Sequence, residues 1–303
     1  IGGLLNVTFG NAPELIIALF ALQQGLQEVV KASIVGSIIG NILLVLGASM
    51  YFGGLGRDRQ RFNATAASAQ SSMLLLAIAA VVMPAVFELV DGQGLPSPSD
   101  ELVNYGSTVE QLSLVTAVVL IGAYAAGLIF SLRTHRDLFN PQAEAEHEEE
   151  PWSVRKAVGM LALAGVAVAV MSEILVGSIS ETAEKAGISE FFIGAIVVAI
   201  VGNAAEHWVA VLVARKDKMD LAVNISIGSS AQVALFVAPV LVLASYLIGP
   251  GPMPLVFNGF EVAALVLAAL IANQVTQDGE STWFEGLQLL AVYLIIGVAF
   301  FFA

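Results

Sequence analysis

Nine runs of this chain are apolar over about the 20 residues that an α-helix needs to cross a hydrocarbon core, and that leaves few folds open. Taken at their polar interruptions, the runs cover about 1–23, 31–52, 68–90, 109–132, 155–180, 191–215, 221–249, 255–275 and 283–303. No ten-residue alternating pattern competes with them, so a strand barrel is not expected. Composition agrees: 57% of residues are hydrophobic, 12% are charged, and the mean hydropathy is +0.85, well outside the range of soluble domains. The expected class is an all-α integral membrane protein. The chain has no cysteine, which excludes disulfides and thiolate metal sites.

Numbering the loops alternately by side separates the basic residues. Arg57, Arg59, Arg61, Arg133, Arg136, Arg155, Lys156, Arg215, Lys216 and Lys218 fall on one side, and Lys31 and Lys185 on the other. Ten of the 12 basic residues on one side is a strong positive-inside signal, so that side is assigned to the cytoplasm and Ala303 to the outside.

The stretch IGGLLNVTFGNAPE from Ile1 aligns with IGAIVVAIVGNAAE from Ile193 at an offset of 192, and the same offset carries Gly36-Ser37 onto Gly228-Ser229. An odd number of crossings separates the two copies, so they run in opposite directions through the membrane. Inverted repeats of this kind place a binding site near the bilayer midplane and supply the two halves that rock in alternating access. The second copy has a helix at 155–180 before its match begins, whereas the first begins at Ile1, so one further helix is expected ahead of this sequence. The expected organisation is two repeats of five helices: residues 1–132 as the first repeat without its first helix, 133–154 as an acidic cytoplasmic linker, and 155–303 as the second repeat.

Glycine and asparagine interrupt both copies in mid-span, at Gly10-Asn11 and Gly202-Asn203, and Pro13 removes one more backbone donor. Carbonyl groups are freed at such breaks. Glu14 and Glu206 lie three residues after their asparagines, about one turn on and nearly on the same face. A carboxylate at that depth is costly unless it pairs, takes up a proton or binds a cation, and no arginine or lysine is available there. Two carboxylates with amide, hydroxyl and carbonyl oxygens make a hard all-oxygen site suited to Ca²⁺. The following spans supply such oxygens. Ser37 and Asn41 share a face at i, i+4, and Ser229 and Gln232 share one at i, i+3. Once the metal leaves, two anions in a poorly hydrated cavity would take up protons, which is itself a way to exchange Ca²⁺ for H⁺.

At these residues the sequence resembles the calcium/proton exchangers of the wider calcium/cation exchanger superfamily. GNAPE and GNAAEH are similar to the family's paired signature, IVGSIIGNILLVLG and ISIGSSAQVALFVAP to the helices that follow, and DGESTWFEGLQLLAVYLI from Asp278 to its last span. The resemblance covers nearly the whole chain and implies a ten-helix core with Glu14 and Glu206 as the central Ca²⁺ carboxylates. It also implies that Asn11, Ser37, Asn203, His207, Ser229 and Gln232 line the site, with His207 in a protonation or hydrogen-bonding role. Ca²⁺ and H⁺ are then transported ions, and no cofactor, catalytic residue or nucleic-acid partner is expected. A multi-pass protein of the plasma membrane is the expected setting, and a homo-oligomer is compatible with it.

Two other readings use the same residues. A Na⁺/Ca²⁺ exchanger of the same fold would resemble serine- and threonine-rich versions of the motifs, with an aspartate near Gln232. An intramembrane enzyme would use Glu206 and His207 as an acid-base pair, but nothing else supplies a nucleophile or cofactor. Gly36 and Gly228 also suit close helix packing. Glu173, beside Ser172, is a candidate for a cavity or proton path, while Glu88 and Glu261 near span ends read as interfacial. The segment Asn140 to Trp152 reads as a solvated linker or as a Ca²⁺-collecting segment, and it holds no Asp-rich calcium loop. The loop from Asp91 to Glu110 reads as a flexible acidic rim.

Overall fold

A computed structural model describes residues 10–92, 94–98, 103, 105–134 and 153–303. The stretch 1–9, the acidic linker segment Asn140 to Trp152 and part of the loop from Asp91 to Glu110 lie outside the described residues.

The chain is a helical bundle, and each expected span contains a helix among the described residues, the first from Ala12 onward. In chain order these are α1 (Ala12–Gln23), α2 (Gln27–Gly54), α3 (Ala64–Val90), α4 (Ser107–Ile129), α5 (Val154–Gly177), α6 (Ile179–Ala186), α7 (Glu190–Gly202), α8 (Ala204–Arg215), α9 (Met219–Ser245), α10 (Gly259–Val275) and α11 (Trp283–Phe302). Six of them, α2, α3, α4, α5, α9 and α11, are each long and apolar enough to cross a membrane. A seventh candidate is the pair α7 and α8, bent by 58° at Asn203. Helices α1 and α10 are shorter. At 17 residues α10 is about 25 Å long, less than a hydrocarbon core. The strap before it, 252–258, is irregular, with Met253, Leu255, Val256 and Phe257 fully buried.

Helices at the centre are buried and those at the rim are not. Nearly nine-tenths of the apolar window of α2 is inside the protein, whereas α5 shows Val158, Leu163, Val166, Met171 and Ile174 outward, as a lipid-facing helix does. Helix α2 packs against α7 so closely that a Cβ on Gly36 would overlap the carbonyl of Ala195, and the packing role holds for that glycine. At Gly228 a Cβ would meet only Asn224 of its own helix, at 3.2 Å, so no neighbouring helix demands glycine there.

The repeat offset reappears in backbone geometry. Asn11 (φ −92°, ψ 18°) and Asn203 (φ −99°, ψ 4°) adopt nearly the same non-helical conformation ahead of α1 and α8. Helices α2 and α9 each widen into a π-helical turn, over Gly40–Val45 and Val233–Val237. Such turns are rare and collect at functional sites.

Contacts gather several of the described loops into two groups, which agree with the alternation read from Arg57, Arg59, Arg61, Arg215 and Lys31. On one face Arg57 bonds the carbonyl of Arg215, Gln60 bonds Ala214 and Asp217, and Asp220 accepts from the backbone of Asn63. Arg59 and Arg61 pair with Glu280 on the same face, where β1 (Gln60–Arg61) and β2 (Glu280–Ser281) form an antiparallel ribbon. That ribbon is absent from the expected all-helical plan, because two residues per strand carry no alternation to read. On the other face Gln27 bonds the carbonyl of Gly251, Lys31 that of Val256, and Tyr246 that of Glu110. Glu88 and Glu261, expected at an interface, are 5% and 1% exposed and belong to the interior.

Candidate cation site

The two Gly-Asn breaks face each other. A Cβ on Gly202 would sit 3.6 Å from Cγ of Glu14 and 3.5 Å from Cδ1 of Ile17, so the second break lies directly against α1. Glu14 and Glu206 are close enough for their charges to interact. Each asparagine then reaches into the opposite half. Asn11 Nδ2 donates to Gln232 Oε1 at 2.7 Å, and Asn203 Nδ2 donates to Ser37 Oγ at 3.1 Å and to the carbonyl of Ala199 at 2.9 Å. Ser229 Oγ donates to Glu206 Oε2 at 2.8 Å. Asn11, Gln232, Ser229 and Glu206 thus form one flank of the site, and Glu14, Gly202, Asn203 and Ser37 the other.

The oxygens left over are the informative part. Asn11 Oδ1, Asn203 Oδ1 and both carboxylate oxygens of Glu14 are buried and accept no hydrogen bond from another residue. Buried polar atoms are nearly always partnered, and leaving one unpaired costs about 1–3 kcal/mol. Four orphaned acceptors with no cationic side chain among them is the chemistry of a hard-cation cradle. Each asparagine spends its N–H₂ on a neighbour and leaves its carbonyl oxygen buried without a partner. Among the described residues no cluster of three or more His, Asp or Glu exists, so softer His-rich metal chemistry has no donor set here.

The remaining expected residues divide. Gly10 and Gly202 stand in the breaks, half-buried. His207 is half-buried on α8 beside Glu206, and the hydrogen bonds of the site do not involve it. Glu173 is on the exposed side of α5, while its neighbour Ser172 turns inward and bonds the carbonyl of Val168, so this carboxylate is not gathered into the site. Asn41 is 1% exposed in the π-helical turn of α2 with its Nδ2 unpartnered, and its i, i+4 relation to Ser37 is the signal that points to it.

A cradle of this kind, set between two repeated breaks, can be compared with known proteins. The family described as "Sodium/calcium exchanger protein" matches residues 1–133 and 156–302. The chain belongs to that family. It is 48% identical over 305 residues to the Ca(2+)/H(+) antiporter ChaA of Bacillus subtilis (strain 168), covering 99% of this chain and 83% of that protein. It is 44% identical over 317 residues to the Ca(2+)/H(+) antiporter of Synechocystis sp. (strain ATCC 27184 / PCC 6803 / Kazusa), covering 99% and 82%. Its fold is similar to the solved structure of native YfkE, with a TM-score of 0.83 at 43% identity over 100% of this chain and 84% of that one. As a member of the exchanger family, the chain is a multi-pass membrane transporter rather than an enzyme, which removes the acid-base reading of Glu206 and His207.

Proposed function

We propose that the protein exchanges Ca²⁺ for H⁺ across the plasma membrane by alternating access, with Ca²⁺ and protons competing for Glu14 and Glu206. The observation that carries this reading is the set of four orphaned oxygens from Asn11, Glu14 and Asn203, with Glu206 on the facing helix. Ca²⁺ would be held by the two carboxylates and the two amide oxygens, with Ser37, Ser229, Gln232 and the carbonyls freed at Gly10 and Gly202 around them. When it leaves, protons neutralise the carboxylates, and the amides can hydrogen-bond the protonated acids, since each presents an acceptor oxygen. In this reading His207, next to Glu206 in the sequence, relays a proton. The empty site can then reorient without carrying buried charge.

Alternating access needs two halves that move against each other. In this reading residues 1–132 and 155–303 are inverted repeats, with 133–154 as their cytoplasmic linker and the arginine-bearing face inside. The paired Asn11 and Asn203 conformations and the paired π-helical turns, all near the offset of 192, support it. In both copies the asparagine bonds a side chain of the other half, Asn11 to Gln232 and Asn203 to Ser37, although Gln232 and Ser37 are not equivalent positions.

The second reading is exchange driven by sodium, after the family's description. Sodium needs an oxygen cage of its own beside the calcium site, whereas the two amide oxygens left free, on Asn11 and Asn203, are already taken by Ca²⁺ in the first reading, and Gln232 Oε1 accepts from Asn11. The relatives at 44–48% identity also carry protons in their names. The discriminating test is ⁴⁵Ca²⁺ uptake into proteoliposomes. A pH gradient without sodium should drive it, and a sodium gradient with pH clamped by nigericin and potassium should not. Sodium-driven uptake at clamped pH would assign the coupling ion to the second reading.

A further inference from the structure

A second buried charge cluster lies well away from the two glutamates, on the face opposite the arginines. Lys31 is only 1% exposed, and its Nζ lies 2.6 Å from Glu28 Oε1, donates to the carbonyl of Val256 at 2.8 Å and stands 5.4 Å from the ring centroid of Tyr105. Glu261, also 1% exposed, feels the charges of both Lys31 and Glu28 and caps α10 through its bond from the Asn258 N–H at 2.8 Å. A buried lysine paired with a carboxylate is a poor way to gain stability, because desolvation of the ions offsets their attraction. What it does well is fix one geometry.

The geometry it fixes is that of the strap 252–258. This is irregular backbone at membrane depth, tolerated only where protein satisfies its polar groups. Side chains from three helices do so: Gln27 and Lys31 of α2 take the carbonyls of Gly251 and Val256, Ser113 of α4 accepts from Leu255 N–H, and Ser245 of α9 accepts from Met253 N–H. Of these only Lys31 brings a charge. Helix α2 carries Ser37 and α9 carries Ser229 and Gln232, so the strap joins the site-bearing helices of both halves at one end.

We propose that Lys31 is a positioning residue of the transport cycle: held by Glu28 and the Val256 carbonyl, its side chain pins the strap across the end of α2 and keeps the two halves closed on that face. Opening there requires the Lys31 to Val256 bond to break. The inference rests on the alternating-access reading for its meaning, but its test does not depend on Ca²⁺ or on protons.

The chain lacks cysteine, so single probes are clean. Val256→Cys reports the strap and Ala214→Cys the opposite face, both at positions 0% exposed. An impermeant maleimide is applied to reconstituted protein from the strap side for the first probe and from the other side for the second. With Lys31→Met, labelling of Cys at 256 should rise about 10-fold, in proportion to the open population, while labelling at 214 stays at the parent rate. Gln27→Ala, which removes a neutral bond, should give a smaller rise of the same kind and serves if Lys31→Met does not fold. Repeating the measurement in a Glu14→Gln background should give the same rise whether or not Ca²⁺/H⁺ exchange is the activity. Unchanged labelling at 256 would overturn the proposal, and so would an equal rise at both probes, which would make Lys31 a general stabiliser.

Discussion

Glu14 and Glu206 occupy the same place in two copies of one motif, yet Glu14 is buried with neither oxygen bonded by another residue, whereas Glu206 is half-buried and holds a bond from Ser229. A Cβ on Gly202 would lie 3.6 Å from Cγ of Glu14, in ordinary contact. The carboxylate of Glu206 leans on a hydroxyl that is able to stay with it whether or not a cation is present. A duplicated sequence has therefore given two carboxylates of different character. One depends on an ion or a proton for its compensation, and the other has a partner built in.

This asymmetry sets the order of the expected effects. Glu14→Gln keeps the shape and removes the charge from the less compensated position, and Ca²⁺ transport should fall by roughly 100-fold or more, the scale for stripping one partner from a buried charge pair. Glu206→Gln should also stop net exchange, with a folded protein in both cases by size-exclusion profile. Near-normal ⁴⁵Ca²⁺ uptake by either variant would break the comparison at its root. Asn11→Ala and Asn203→Ala each remove a neutral oxygen and should weaken apparent Ca²⁺ affinity about 10-fold, in line with one lost ligand bond. Ser229→Ala removes the support of Glu206 and one peripheral hydroxyl, so a change of about 3-fold is expected, and it should be seen for Ser229→Ala more than for Ser37→Ala, since Ser37 bonds an amide rather than a carboxylate.

Acid should act at these glutamates and not at the arginine face. Lowering the pH on the Ca²⁺-loading side fills Glu14 and Glu206 with protons and should raise the apparent KM for Ca²⁺, leaving the maximal rate recoverable by more Ca²⁺. At Glu280 a hydrogen bond from Arg59, with the charges of Arg59 and Arg61 beside it, holds the carboxyl below the ordinary carboxylate range. A lowered value means that whatever the pair contributes is present above the unfolded value and is lost only as pH falls through the folded one, below about 4.3. The smallest effect therefore belongs to Glu280→Gln, an exposed pair, with less than about a 2-fold change in transport at neutral pH. A large effect there would show that the ribbon of β1 and β2 gates the site.

Much of this was legible in the residues. The nine apolar runs, the offset of 192 and the alternation of arginines read directly into helices, paired breaks and two loop faces, because lipid forces span length and backbone pairing. Asn11 meets Gln232, Asn203 meets Ser37 and Ser229 meets Glu206, pair by pair. What did not read through was which of them bond each other, since partners 166 and 221 positions apart are chosen by packing. The burial of Glu261 and Glu88, the outward turn of Glu173 and the clamp at Lys31 went unread for the same reason. A lysine three residues after a glutamate at a helix start looks like a surface pair until the strap covers it.

The claim at the centre is that Ca²⁺ and protons use the same two carboxylates. Calorimetric titration of Ca²⁺ into the purified protein, repeated in buffers of different ionisation enthalpy, counts the protons released per Ca²⁺ bound. Release should be clear in the parent protein at pH near neutral, reduced in Glu14→Gln and in Glu206→Gln, and abolished along with binding in the double variant. Binding of Ca²⁺ with no proton release at any pH between 6 and 9 would contradict the account.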